Sequence, residues 1–299
     1  MPKSPAWLSE LESNVHSQCG EDGVIQEVLH RLPDHDKWCV EFGAWDGEYL
    51  SNTCNLIDKQ DYSAVLIEGS AQRCKDLRKR HGANPKVIGI NQFVGFTPPN
   101  TLDDILSQTP IPVDFDFLSI DIDGNDYHVW KAVSRYRPKV VCVEFNPTIP
   151  TEVRFVQPAD PAVSQGSSVL SLVELGKEKG YEVVWIGKVN ALFVRSEYYP
   201  RFEIDDNRPA VLRTQLMAVT YIFSAYDGTV FLAGRKALIW HGLPMRESAV
   251  QQLPKFLRKC LGNYRAIHWV VYFVYWAYVD PRNWARKVWG YLKSRLRGS

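Results

Sequence analysis

The chain has 299 residues, a net charge of +1, 45% hydrophobic residues and 23% charged residues. This balance excludes disordered, collagen-like and miniprotein classes, and it leaves room for one large domain or two smaller ones. The charge is uneven: residues 251–299 hold ten Lys/Arg against Asp280 alone, so a basic tail follows an acidic body.

The pattern from residue 17 onward alternates helical and strand-like segments. Val24, Ile25, Val28, Leu29 and Leu32 share one helical face, which predicts a helix over 21–32. WCVEF at 38–42 is a short apolar strand ending at a glycine-rich turn, and a helix is expected at 51–59. AVLIE at 64–68 is the next strand. Residues 71–81 form a helix with Lys79, Arg80 and His81 in its last turn, where the dipole favours cations, and Gly82 at its stop. KVIGI at 86–90 is a strand, and Thr101 with Asp104 forms a capping-box pattern opening LDDIL. DFLSID at 116–121 and KVVCVEF at 139–145 are strands around a helix near 127–135. A helix at 168–179 stops at Gly180, and YEVVWI and ALFVR at 181–195 pair antiparallel across a short connector.

Strands alternating with helices imply a mostly parallel sheet covered on both faces. The expected fold is therefore α/β and Rossmann-like, with seven strands and the last one antiparallel. Residues 201–299 break the rhythm and read as a separate, mainly helical appendage, giving domains at 1–200 and 201–299. Within it, 226–242 reads as a hairpin around Gly234 and 251–262 as a basic helix. Residues 266–279 are apolar all round, and Trp284, Trp289 and Tyr291 then lie among Arg282, Arg286, Lys287, Lys293, Arg295 and Arg297.

The six cysteines contain no CxxC pair, and the first residues lack the apolar core of a secretory leader, so a reducing, cytoplasmic setting is expected. No apolar run reaches the length of a membrane span. The tail suits either an anionic membrane surface, which would make the protein peripheral, or packing onto the body or a homodimer partner. No nucleic-acid signature accompanies its charge.

The chemistry concentrates at strand ends. Glu41, Gly43 and Gly47 form E-x-G-x-x-x-G after the first strand, not the G-x-G-x-x-G of a diphosphate cradle. This disfavours a nicotinamide-dependent oxidoreductase. An acid there suits a ligand with a positive amino group, and Glu68, ending the second strand, is placed to accept ribose hydroxyls. Together they fit S-adenosylmethionine, with Ala44, Asp46 and Asn52 on the same turn and its exit.

At this point the motifs SQCGED (17–22), VEFGAWDGEYLSNT (40–53), LIEGS, TLDDIL, DFLSIDIDGND (116–126) and NALFVR resemble the FkbM-type family of S-adenosylmethionine-dependent methyltransferases. The resemblance covers roughly 17–196 and implies O-methylation of a hydroxyl on a glycan, glycolipid or other hydroxylated small molecule. A neutral alcohol needs a base or a metal to become a nucleophile. Asp121, Asp123, Glu144 and Asn146 leave strands four and five, where they would hold Mg²⁺. Alternatively Asp121 only edges the cofactor, and Asp123 or His128 serves as base. His128 also reads as an ordinary surface or core histidine, and His81 as structural. Gln18 reads either as a cofactor contact from the preceding helix or, with Ser17, Glu21 and Asp22, as part of a helix cap. Asn91, Gln92 and Phe93 end strand three, on the adenine side. The rival reading is a non-catalytic methyltransferase fold acting as a membrane-associated scaffold, since fold alone does not give function.

Overall fold

The computed structural model describes residues 4–297, which divide into two compact units on either side of the Val219–Thr220 junction. In the first unit α1 (Glu21–His30) turns Val24, Ile25, Val28 and Leu29 inward. Then follow β1 (Trp38–Phe42), α2 (Cys54–Gln60), β2 (Ser63–Glu68), α3 (Ala71–His81), β3 (Val87–Asn91), α4 (Leu102–Leu106) and β4 (Phe117–Ile120). The chain continues through α5 (Asp126–Ala132), β5 (Val140–Glu144), α6 (Val169–Glu178), β6 (Tyr181–Ile186), β7 (Asn190–Arg195) and the short α7 (Pro209–Leu212). Caps define several starts. Ser70 accepts from Arg73 N–H, Ser168 from Ser171 N–H, and Thr101 with Asp104 closes the expected capping box.

The strand order is β3-β2-β1-β4-β5-β7-β6, with β7 antiparallel to both neighbours. The sheet is thus the seven-stranded, mostly parallel one that the alternation implies. Every residue of β4 is buried, as is Val140–Val143 of β5, which is why these strands read as unbroken apolar runs. The strand order reverses between β1 and β4, so the C-terminal ends of these two strands flank the crevice where such sheets bind ligands.

The first unit runs beyond the boundary expected near 200. Phe202, Ile204, Leu212 and Val219 are buried, and Trp7 Nε1–H donates to the Phe202 carbonyl at 3.1 Å. The βα rhythm ends at β7, but apolar side chains continue for another short stretch.

At the N-terminal ends of the strands, Asp116 is fully buried. It accepts from Lys139 Nζ at 2.8 Å, the Tyr62 hydroxyl at 3.1 Å, and the Asp36 and Lys37 N–H groups. Asp116→Ala takes the nearest carboxylate from the nearly buried Lys139 ammonium, leaving it Asp36 at 3.4 Å and Asp34 at 3.8 Å, and strips the Tyr62 hydroxyl and two N–H groups of their acceptor, so urea unfolding should show a loss of about 3–5 kcal/mol. A loss below about 1 kcal/mol would mean the pair acts like a surface ion pair.

In the second unit β8 (Thr220–Ser224) pairs antiparallel with β9 (Val230–Gly234), from Thr220↔Gly234 to Ser224↔Val230. The hairpin turn is therefore at 225–229, where Gly228 takes φ +81° and Asp227 accepts from Thr229 N–H, and not around Gly234, which ends β9. The helix expected over 251–262 is absent: Lys255–Leu257 and Leu261–Asn263 are single 3₁₀ turns. Pro254 precedes the first and Gly262 is the middle residue of the second, and both residues oppose a continuous α-helix. α8 (Ala266–Val279) and α9 (Pro281–Arg297) follow, and no helix among the described residues is long and apolar enough to cross a membrane.

Candidate functional site

Sheet register lines up the candidate residues before any side chain is considered. Ile67 pairs with Phe42, Phe42 with Ile120, and Ile120 with Val143. The next residue on each strand is Glu68, Gly43, Asp121 and Glu144. These four leave β2, β1, β4 and β5 side by side across the switch point. Glu144 in turn pairs with Asn190 of β7.

Gly43 is exposed at the centre of this row with φ +73°. A Cβ here would lie 2.0 Å from the Asp121 carbonyl oxygen, so the turn after β1 and the exit of β4 approach as closely as a bare backbone allows. Gly47, at φ +79°, would place a Cβ 2.7 Å from the His81 ring, whose Nε2 lies 2.9 Å from the Gly47 carbonyl. His81 is buried and braces the turn from α3, the structural role expected of it. Ala44 N–H donates to the Ile67 carbonyl, which fastens the turn to β2.

Glu68 is buried. One carboxylate oxygen accepts from Trp45 N–H at 2.9 Å and the other from Ser70 N–H at 2.6 Å. It thus joins the glycine turn to the start of α3 and keeps lone pairs for a ligand. Beyond it, the 77% exposed Phe93 stacks over Gly69, where an added Cβ would meet its ring at 2.4 Å. Trp45 is also exposed, with the Arg73 guanidinium 3.3 Å above its ring.

Other candidates are occupied by local structure. Glu41 accepts from the Ser51 and Thr53 hydroxyls at 2.6 and 2.7 Å and from Asn52 N–H at 2.8 Å. Burial pushes its carboxyl pKa up despite these bonds. Its role in the structure is to hold the 51–53 loop that leads into α2. The Asn52 amide donates to Ser119 Oγ beneath that loop. Asp46 accepts from Glu48 and Tyr49 N–H, an Asx turn, and Gln92 donates to Asn100. The Gln18 side chain is exposed, while Asp22 Oδ2 gathers the N–H groups of Val15, His16 and Ser17. Asn146 accepts from Thr148 and donates to the Gln165 carbonyl, so it stays in its own loop.

The remaining acids converge. Oxygen atoms of Asp121, Asp123 and Glu144 lie within 4.8 Å of one another. Burial, then Asp126 and Asp123, push the Asp121 carboxyl up to about 7, and burial with the Asp121 charge raises Glu144 well above the usual carboxylate range. The two carboxyls share a hydrogen bond, so one of them keeps a proton. Asp123 adopts φ +56° and is exposed. Asp126, which the sequence reading did not single out, accepts from Ile122 and Gly124 N–H at 2.9 Å each and shapes the D-I-D-G turn. An acid opening a helix just after a Gly turn was the available signal. His128 Nε2 lies 2.8 Å from the Gln157 carbonyl and donates to it, so only Nδ1 could take a proton. Gln157 was also missed: it accepts from Gln165 and Gly166 N–H and donates to the Val163 carbonyl, ordering the loop after β5. Asn190 donates to Glu21, but its buried Oδ1 has no protein partner.

Residues 41–183 match the family model of the methyltransferase FkbM domain. No curated protein matches the chain. Among solved structures it is similar to a SAM-dependent methyltransferase from Aquifex aeolicus, at 13% identity over 63% of this chain and 96% of that one, TM-score 0.36. It is also similar to magnesium protoporphyrin IX methyltransferase from Synechocystis PCC 6803 with bound SAM, at 8% identity over 58% and 77%, TM-score 0.36. A third is mitomycin 7-O-methyltransferase, at 13% identity over 58% and 54%, TM-score 0.32.

Proposed function

We propose that this chain, whose residues 41–183 carry a methyltransferase FkbM domain, is an S-adenosylmethionine-dependent O-methyltransferase acting on a hydroxyl of a glycan, glycolipid or related metabolite. The observation that carries the reading is the register-set row Glu68, Gly43, Asp121 and Glu144 at the switch point. The donor set suits the cofactor. Half-buried acids with raised pKa values gain from a positively charged ligand, and S-adenosylmethionine is cationic at both its sulfonium and its amino group. Glu68 would hold the ribose, Phe93 would cover the adenine side, and Gly43 would leave space for the ligand beside β4. When bound, the cofactor supplies an activated methyl group that passes to the acceptor oxygen in line with its bond to sulfur.

The chain's own task is to orient the acceptor and take its hydroxyl proton. The Asp121–Glu144 pair suits that task because its shared proton leaves one oxygen basic near neutral pH. Asp126 fixes the backbone that carries Asp121. Asp123 and the Nδ1 atom of His128 are the other groups in the neighbourhood able to accept a proton.

The clustered oxygens of Asp121, Asp123 and Glu144 favour a second mechanism with the same outcome. These three would hold Mg²⁺ without Asn146, completing its shell with water, and the ion would lower the acceptor's pKa. The test is transfer of labelled methyl from S-adenosylmethionine to matched hydroxyl and amine acceptors, with and without EDTA. The proposal predicts an alkali-stable methyl ether. Turnover abolished by EDTA and restored by Mg²⁺ selects the metal, and full turnover in EDTA selects the carboxylate base. Methyl transfer to nitrogen alone would overturn the O-methyl reading.

A further inference from the structure

We propose that the second unit is a docking module for an anionic bilayer surface. It would seat lipid phosphates against Arg258, Lys259 and Arg265 and bury the bare face of α8 at the headgroup boundary. This unit holds a cavity of about 680 Å³, whose wall carries those three cations and His268. Asp227 is the one acid on that wall. Among the described residues none of the three cations is in an ion pair. Arg258 donates to the Leu253 carbonyl and Lys259 Nζ lies 3.2 Å from His268 Nε2. Burial and the neighbouring Lys259 and Arg265 push the His268 pKa down, so the ring stays neutral beside the three cations. The cavity therefore collects positive charge without enough protein anion to match it.

The second observation adjoins the first along the chain. α8 starts at this cavity and leaves Ile267, Val270, Val274 and Tyr278 exposed, at 57, 58, 68 and 84%. Their spacing of three, four and four residues makes them one continuous helix face. Fourteen residues rise only about 21 Å, short of a hydrocarbon core of about 30 Å, so α8 can lie in the surface and not cross it. α9 extends the pattern. Arg282, Arg286, Lys287 and Lys293 are exposed around a 62% exposed Trp289. Lys287 Nζ lies 5.5 Å over the Trp276 ring of α8. The side chains of Tyr291, Arg295 and Arg297 lie outside the described residues.

Charge decides among occupants of this face. A second copy would bring the ten basic residues of 251–299 against ten others, with only Asp280 in that segment and Asp227 on the cavity wall to oppose them, which disfavours a self-complementary interface. An anionic bilayer supplies opposite charge, an apolar layer and the interfacial depth that Trp and Tyr prefer.

The test is co-sedimentation of the full chain with phosphatidylcholine vesicles, with and without about a third phosphatidylglycerol. Anionic vesicles should bind at least about tenfold tighter, with the preference falling as salt rises. Joint Arg258→Glu, Lys259→Glu and Arg265→Glu should remove that preference. Val274→Asp should weaken binding about tenfold with an unchanged circular dichroism spectrum. Millimolar inorganic phosphate should compete by less than about twofold, since a free anion lacks the apolar contribution. Equal binding to neutral vesicles, or an unaffected triple variant, would overturn the proposal. So would self-association lost in Val274→Asp without vesicle binding, or duplex DNA binding in place of vesicle binding.

Discussion

Gly43→Ala is expected to weaken S-adenosylhomocysteine binding by at least about a hundredfold and to cost about 2–5 kcal/mol of stability. Two effects add at this residue. The left-handed backbone at φ +73° costs an L side chain about 1–2 kcal/mol. The Cβ then overlaps the Asp121 carbonyl oxygen at 2.0 Å, and overpacking of this kind costs about 1–3 kcal/mol. Neither partner is a side chain that can swing away. Relief must come from separating the β1 turn from the β4 exit, which widens the crevice itself. Gly180→Ala is the control: its φ is +80°, but nothing lies within 4 Å of its Cβ position. It should cost about 1–2 kcal/mol and leave binding unchanged. Urea unfolding and calorimetry on both variants separate backbone strain from the clash. Equal losses in the two would remove the close approach from the account of the site.

Asp121→Asn is expected to lower kcat by at least about a hundredfold while changing S-adenosylhomocysteine affinity by less than about tenfold. The amide keeps the shape of the side chain and its backbone position, which Asp126 fixes, but it cannot accept the acceptor's proton. In EDTA, if turnover persists, kcat/KM of the unaltered protein should rise with pH through about 7. Burial, Asp126 and Asp123 hold the proton on Asp121 below that value, and a general base works only without it. Near-full turnover by Asp121→Asn would move the base to Asp123 or His128.

The sheet was legible because its two signals are local. Apolar runs mark strands buried on both faces, and glycine or cap residues mark where each helix starts and stops. That was enough to place Glu68, Gly43, Asp121 and Glu144 at adjacent strand ends. What each carboxylate faces was less legible. Glu41 sits one strand from Asp121, yet its oxygens are taken by Ser51, Asn52 and Thr53, residues ten to twelve positions onward. Asn146 looked like a strand-end ligand, but an Asx-type turn to Thr148 claims its oxygen. Gln157, in a loop without periodicity, gave no signal at all, though it organises the segment beside His128. The appendage misled for a different reason. Basic residues at helical spacing around Pro254 and Gly262 suggested a helix that those two residues break.

The most direct test of the central claim is a calorimetric titration of the purified full chain with S-adenosylhomocysteine, repeated on Glu68→Ala. The arrangement of Glu68, Gly43 and Asp121 predicts micromolar binding, weakened at least about tenfold when Glu68 is lost, because the ribose anchor and the tie between Trp45 and Ser70 disappear together. No binding at millimolar ligand, in protein shown to be folded, would contradict the methyltransferase account and leave a non-catalytic scaffold as the reading of this fold.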